Sequence, residues 1–465
     1  MRAALETLRN DFQGDIIEPE TDGYEAAATT VLATGSPAVI LRPAGTADVQ
    51  AAVRFAAAAR SAATTDTDTA ATTDAIPTQL PLAVRGGGHS FPGFGTNDGG
   101  IVIDLRGIAG IEVLDPDRGL VRIGGGATWG AVADALAPHK LAISSGDTKG
   151  VGVGGLTLSG GIGWKARKYG LALDALVAAE VVTADGELVR ADEEENAELF
   201  WALRGGGGNL GIVTAFEFLA HRTTDVFHGR IAFPAAEAGA VLQGWAEYLR
   251  TASEDLTSVV AFANPFAGGP NAPVEVYAVV DTDDQEHADE VLAPIRRLGS
   301  VIADEVALKP YRDVLVDGLV PPPGIRLLSR TAYVERESVP EVLKTLAQIG
   351  AAEGSPVIAV RSVGAAVSRV ADDATAYAHR SAELLVITTS AGPAPVLEAT
   401  APLREAMWAR LTPHTVGAYA NFQSGVAESD VSAVYPEKTY ERVAAVKREY
   451  DPENLFRGNH NVKPL

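Results

Sequence analysis

Apolar positions in the first half of the chain fall into short runs rather than long stripes. Leu82–Arg85, Ile101–Leu105 and Leu120–Ile123 are compact runs of this kind, and they predict short buried strands. Val49, Val53 and Ala57 recur at helical spacing, so residues 45–62 are expected to form a helix with Thr46 as its N-cap. The following tract TTDTDTAATTDA, residues 64–75, has nothing to bury and reads as a solvated loop. Thr128 is placed to cap a helix whose Trp129, Val132 and Leu136 share one face. Residues 177–183 read as a strand, and Asp185-Gly186 as a hairpin turn into Leu188-Val189. Over 192–203, acids come first and Leu199, Phe200 and Leu203 come last, with glycines beyond; a helix prefers that polarity. Ile212–Phe218, β-branched and aromatic, predicts another strand.

The pattern changes after about residue 222, where glycine becomes sparse. Strand-like runs at Val259–Ala263, Val274–Val280, Leu327–Val334 and Leu384–Thr389 alternate with amphipathic helices near 235–250, 284–298 and 339–350. This predicts a second, α+β unit. The last segment, 435–465, carries a helix at Tyr440–Tyr450, an Asp451-Pro452 stop and the tail RGNHNVKP. No internal repeat is found.

Composition narrows the functional classes. A chain of 465 residues exceeds one ordinary core and predicts two or three packed units. With 46% hydrophobic and 21% charged residues the balance is globular. Acidic residues outnumber basic ones 60 to 38, a formal charge of -22, which repels nucleic acid and anionic membranes. Arg greatly exceeds Lys and Ala is abundant, for which a GC-rich genome and adaptation to high salt are the alternative readings. The absence of cysteine excludes disulfides, thiolate metal sites and cysteine nucleophiles, and no metal site is expected. The N-terminus MRAALETLRNDFQGD lacks an apolar signal-peptide core, and no apolar run is long enough for a bilayer, so a cytoplasmic protein is expected. Nothing in the sequence fixes an oligomeric state.

Four glycine-rich segments crowd the first half: Gly86–Gly88, Gly124–Gly126, Gly150–Gly163 and Gly205–Gly211. Glycine lets a backbone turn through positive φ and approach a ligand closely, and clustered N–H groups form a concavity for an anion. Four such segments point to a large phosphorylated ligand; tight turns in a glycine-tolerant fold are the alternative. Gly150–Gly155 also fits G-x-G-x-x-G, with Asp174 at about the right distance for a dinucleotide site. No strand leads into it, and Gly160, Gly161 and Gly163 would break the helix that should follow, so a nicotinamide site is not expected.

The string RGGGHS, followed by a strand ending IDL, resembles the covalent-flavin loop of the vanillyl-alcohol oxidase superfamily, and more narrowly of the berberine-bridge-enzyme-like flavoproteins. GDTKGVGVGGLTLSGGIGWKARKYGLALD, residues 146–174, resembles their second flavin loop; VVTADGELV and ALRGGGGNLGIVTAFEF continue the likeness, and YERVAAVKREYDPENLFRGNHNV resembles their C-terminal segment. The resemblance implies an α+β fold in which a two-part PCMH-type FAD-binding domain, residues 1–222 completed by a berberine-bridge-like segment at 425–465, joins a substrate domain at 223–424. The substrate domain's antiparallel sheet would cover the flavin.

It further implies a flavin contact at Arg85, Gly86, Gly87, Gly88, His89 and Ser90, with His89 bonded covalently to FAD. Gly146, Thr148, Val151, Gly152, Gly155, Gly160 and Gly161 would form the second contact, and Ile212 and Val213 a third. Thr148 stands where many members carry a second, cysteinyl link, so a single attachment is implied. Val151 matches the position where a small side chain goes with oxygen access. Asn459 and Asn461 match residues that either hydrogen-bond the flavin or hold the chain end.

Flavin redox chemistry needs a group that takes the proton from a substrate hydroxyl. Tyr419 in Tyr-Ala-Asn-Phe resembles the family's catalytic tyrosine; its phenol, with a pKa of about 10, would need a basic neighbour to ionise near neutrality. Tyr377, His379 and Arg380 in ATAYAHR resemble another family segment and either orient substrate or stabilise structure. The implied activity is an FAD-linked oxidase acting on a CH–OH group of a sugar, alcohol or hydroxylated natural product, with a small-molecule substrate and oxygen as partners. A dehydrogenase using another acceptor and a non-catalytic binding module are the alternatives.

Overall fold

The computed structural model describes residues 2–65, 80–318 and 320–465. Residues 66–75 of the Thr/Asp/Ala tract therefore lie outside the described residues. Two larger sheets are built from the glycine-rich half, beside a two-stranded pairing of Leu141–Ala142 with His221–Arg222. In the first, Val39–Arg42, Ile101–Asp104 and Leu82–Arg85 run parallel, with Asp15–Ile17 antiparallel at the edge. In the second, Ile111–Asp115, Leu120–Gly124, Ile212–Leu219, Leu176–Val182 and Leu188–Asp192 lie side by side, all antiparallel, with the last strand in sequence inserted between two hairpins. The Val182–Leu188 turn carries Gly186 at φ 81°, the conformation that the Asp-Gly pair predicts.

Residues 226–392 supply an eight-stranded antiparallel sheet. Its strands follow the period-two rule. Val360 and Val386 join Trp245, Leu242, Leu346 and Trp408 in a core beneath helices Ala238–Leu249, Val339–Gly350 and Ala401–Leu411. Tyr333, Leu385 and Ile387, on the opposite face, pack with Ile162, Tyr377 and Tyr419. The sheet thus presents one face to its own helices and the other to the glycine-rich half.

The chain end returns to that half through helix Glu437–Tyr450. Lys447 and Asp451 are fully buried 3.1 Å apart. Lys447 also donates to the carbonyls of Asn209 and Phe456, and Asp451 accepts the N–H groups of Leu455 and Phe456. A buried charge pair is tolerated only when its remaining hydrogen-bonding capacity is satisfied in this way. Asn209 completes the join, bonding to the His460 carbonyl and the Val462 N–H.

Three local expectations change. Thr46 is the first residue of helix Thr46–Thr65 rather than its cap, and Asp48 instead ties the entry by accepting the N–H groups of Ala44 and Gln13. Thr128 sits at the N-cap of Trp129–Leu136 without a side-chain hydrogen bond, although Trp129, Val132 and Leu136 are its buried face. The helix expected from residue 192 begins at Ala197, because the Asp192 carboxylate turns the chain by binding the N–H groups of Glu194 and Glu195.

Candidate active site

A cavity of about 420 Å³ opens between the glycine-rich half and the large sheet. All four glycine segments reach its wall, through Gly86–Gly88, Gly125, Gly146–Gly155 and Gly207–Gly211. Arg85, His89, Ser90, Thr148, Val151, Ile212, Val213, Tyr419 and Asn459 line it as well. Gly160, Gly161 and Asn461 are not on the wall; Gly160 and Gly161 lie behind Tyr419.

The first loop is held from below. Strand Leu82–Arg85 ends in Arg85, whose guanidinium donates to Asp104 at 2.8 Å and to the Ala27 carbonyl at 2.6 Å. Asp104 also binds Arg106 and Arg42; burial pushes its carboxyl up, and the arginines outweigh this and hold it well below the usual carboxylate range. Arg85 therefore anchors the loop, with its charge already balanced. Beyond it the two flavin-type loops cross: a Cβ on Gly87 would lie 2.3 Å from the Gly152 nitrogen, and one on Gly152 2.3 Å from the Gly87 nitrogen. Only glycine at both positions permits this crossing.

His89 emerges above the crossing, half-buried. Burial lowers its pKa, opposed by a hydrogen bond to the Gly150 backbone, so the ring is neutral at neutral pH. Thr148 faces it: a Cβ on Gly318 would sit 3.2 Å from His89 Cε1 and 3.0 Å from the Thr148 methyl. The Thr148 hydroxyl donates to Asp147 at 3.0 Å.

Tyr419 is buried, and its backbone N–H donates to Thr331 of the large sheet. Its phenolic oxygen accepts from the Gly161 and Ile162 N–H groups at 2.9 and 3.3 Å and from Asn421 Nδ2 at 2.9 Å. Burial raises its pKa above the ordinary phenol range, and these three donors and the Arg361 guanidinium offset that only in part. Tyr377, His379 and Arg380 lie behind it, off the cavity wall. Tyr377 shares a 2.7 Å hydrogen bond with Tyr333, His379 stacks on Tyr333, and Arg380 pairs through two hydrogen bonds with Asp174. Asp174, the residue that a dinucleotide site would need free, is thus bound to Arg380.

The residues present fit FAD. Asn459 donates to the carbonyls of Gly208 and Phe456, while its own carbonyl is buried on the cavity wall with no partner among the described residues. A Cβ on Gly155 would meet nothing within 4 Å, so the backbone there faces open cavity. Sequence reasoning missed Phe91, Phe94, Leu327, Tyr435 and Asp147 on the wall, and Arg361 behind Phe422. Tyr435 and the phenylalanines look like ordinary core residues in one dimension. Arg361 carried a signal, being a lone charge in the apolar strand Val357–Ser362.

Glycine loops around a large cavity, a neutral histidine at the loop crossing and a tyrosine ringed by donors are the arrangement of a flavoprotein oxidoreductase. Residues 37–192 match the family described as FAD binding domain, and residues 418–463 that described as berberine and berberine like. The (R)-6-hydroxynicotine oxidase of Paenarthrobacter nicotinovorans is 31% identical over 97% of each chain. The chitooligosaccharide oxidase of Gibberella zeae is 28% identical over 83% of this chain and 82% of that protein. The crystal structure of 6-hydroxy-D-nicotine oxidase from Arthrobacter nicotinovorans superposes with a TM-score of 0.83 at 29% identity, covering 98% of this chain and 99% of that one. A glucooligosaccharide oxidase from Acremonium strictum, described as carrying 6-S-cysteinyl, 8α-N1-histidyl FAD, shares the fold with a TM-score of 0.84 at 23% identity over 99% of both chains. The chain belongs to the berberine-bridge-like FAD-linked oxidoreductases of the vanillyl-alcohol oxidase family, and it is an enzyme. No helix among the described residues is long and apolar enough to cross a membrane.

Proposed function

We propose that the protein is an oxidase that takes hydride from a CH–OH group of a sugar, alcohol or hydroxylated natural product and reduces oxygen to hydrogen peroxide. Residues 1–222 with 425–465 form its FAD-binding part, and residues 223–424 its substrate part. FAD, when bound, supplies the two-electron acceptor. The first loop and His89 hold it, with His89 as the single covalent attachment; Thr148 has no thiol to offer. Gly146, Val151, Gly152, Gly155, Ile212 and Val213 supply backbone and apolar contacts, and Asn459 offers its unpaired carbonyl.

One observation carries the reading. Tyr419 lines the cavity, and three donors are directed at its phenolic oxygen. Such a ring of donors stabilises a phenolate, the form that accepts a proton from a substrate hydroxyl. Phe422 and Leu327 add apolar surface to the cavity wall.

Anaerobic bleaching with a panel of alcohols, oligosaccharides and hydroxylated aromatics tests the activity, and peroxide should appear when air is readmitted. Val151 lines the cavity beside the loop crossing, so Val151→Leu should slow reoxidation about tenfold, the equivalent of about 1.4 kcal/mol of barrier, while sparing reduction by substrate. Slow reoxidation of the native protein, with rapid transfer to a quinone or dye, would make it a dehydrogenase.

A further inference from the structure

Arg361 and Asp147 join opposite halves of the molecule, with Asp147 on the cavity wall. Arg361 projects from strand Val357–Ser362 of the large sheet and is 13% exposed; Asp147 precedes Thr148 in the second glycine loop. The guanidinium donates to the Asp147 carboxylate and lies over the Phe422 ring, 5.3 Å from its centroid. Its Nε is buried with no partner among the described residues. Phe422 packs edge-on against Tyr419, with ring centroids 5.4 Å apart. The cation therefore stands one aromatic ring away from the phenol, and its carboxylate partner is half-exposed beside the first covalent-type loop.

The other groups facing Tyr419 contribute little net charge. Tyr377 meets it edge-on at 6.5 Å; Tyr377 and its partner Tyr333 are pushed up by burial and stay neutral. Arg380, under Tyr377, is neutralised by Asp174, to which it donates two hydrogen bonds. Arg361 is held differently. Burial pushes the Asp147 carboxyl up, but the guanidinium outweighs this and keeps it ionised. That carboxylate shares its charge with the Thr148 hydroxyl. The compensation of Arg361 is thus partial.

We infer that Arg361 is a positioning residue that stabilises the Tyr419 phenolate through Phe422, and that Asp147 tempers it, so the two residues set the working pH of the base in opposite directions. The inference rests on Tyr419 being the base. Removing the cation leaves the phenolate less stabilised and moves its ionisation to higher pH. Removing Asp147 leaves the cation uncompensated and moves it to lower pH.

The test follows the pH dependence of anaerobic reduction by substrate in the holoenzyme, together with the tyrosinate resonance or absorbance assigned by its absence in Tyr419→Phe. Arg361→Gln should displace the Tyr419 ionisation upward by about one pH unit, and Asp147→Asn downward by a similar amount. Arg361→Lys should restore most of the native position, and the double variant should return towards it. If Arg361→Gln fails to fold, Arg361→Lys and Asp147→Asn still report the sign. An unmoved ionisation in both single variants overturns the inference, as do shifts of the same sign, which mark a merely structural effect. A native pH limb retained in Tyr419→Phe is a separate result and removes the base reading itself.

Discussion

Anaerobic reduction by substrate is expected to fall about 10²–10⁴-fold in Tyr419→Phe, with reoxidation by air unchanged. The substitution keeps the ring and its edge contacts to Phe422 and Tyr377 and removes only the oxygen. Proton removal accompanies departure of hydride from the carbon, so the loss belongs to reduction; oxygen reacts after the proton has gone. The variant also leaves the Gly161 and Ile162 N–H groups without their acceptor. An unsatisfied buried donor costs about 1–3 kcal/mol, so Tm should drop even though the fold survives. Asn421→Ala separates the two effects, since it removes one donor and leaves the phenol. Reduction at native speed in Tyr419→Phe would make the residue a packing element. Tyr377 and His379 would not replace it, because both lie off the cavity wall.

His89→Ala is expected to abolish retention of flavin through acid precipitation. The native protein should give a yellow, fluorescent pellet; the variant should release its colour to the supernatant. The neutral ring of His89, half-buried over the loop crossing, has a nitrogen lone pair for the bond. The chain has no cysteine, and Thr148, which meets His89 across Gly318, cannot form a thioether. A tryptic flavopeptide should therefore contain His89 and nothing from the 146–168 loop. A colourless native pellet, or a doubly linked peptide pair, contradicts this.

What the sequence disclosed followed physical range. Elements whose pattern is local were legible almost to the residue, including helix Val339–Gly350, strand Leu82–Arg85 and the buried face of Trp129–Leu136. Helix starts were less so, because Asp48 and Asp192 decide them through hydrogen bonds that periodicity does not encode. In the site, the glycine loops, His89 and Tyr419 could be named because each lies in a dense local phrase. Pairings across the fold could not. Arg361 and Asp147 are 214 positions apart, and neither stands out until the large sheet is laid over the second loop. Arg85 lines the cavity, as its place in the first loop suggested, but the balance of its guanidinium by Asp104, 19 positions on, is not written in that local phrase.

The tail that Lys447, Asp451 and Asn209 bind to the glycine-rich half supplies Gly458, Asn459 and His460 to the cavity wall. This imposes an order on biosynthesis. By the time Val213 leaves the ribosome every glycine loop exists, yet the wall still lacks the large sheet and the tail. At the usual pace of translation the final wall residues follow roughly 10 to 50 s later. The half-built cleft must pass that interval as an open basin, and capture of the cofactor becomes a late, nearly post-translational event. A nascent chain stalled anywhere in the large sheet would expose two loops shaped for a dinucleotide that it has no means to enclose.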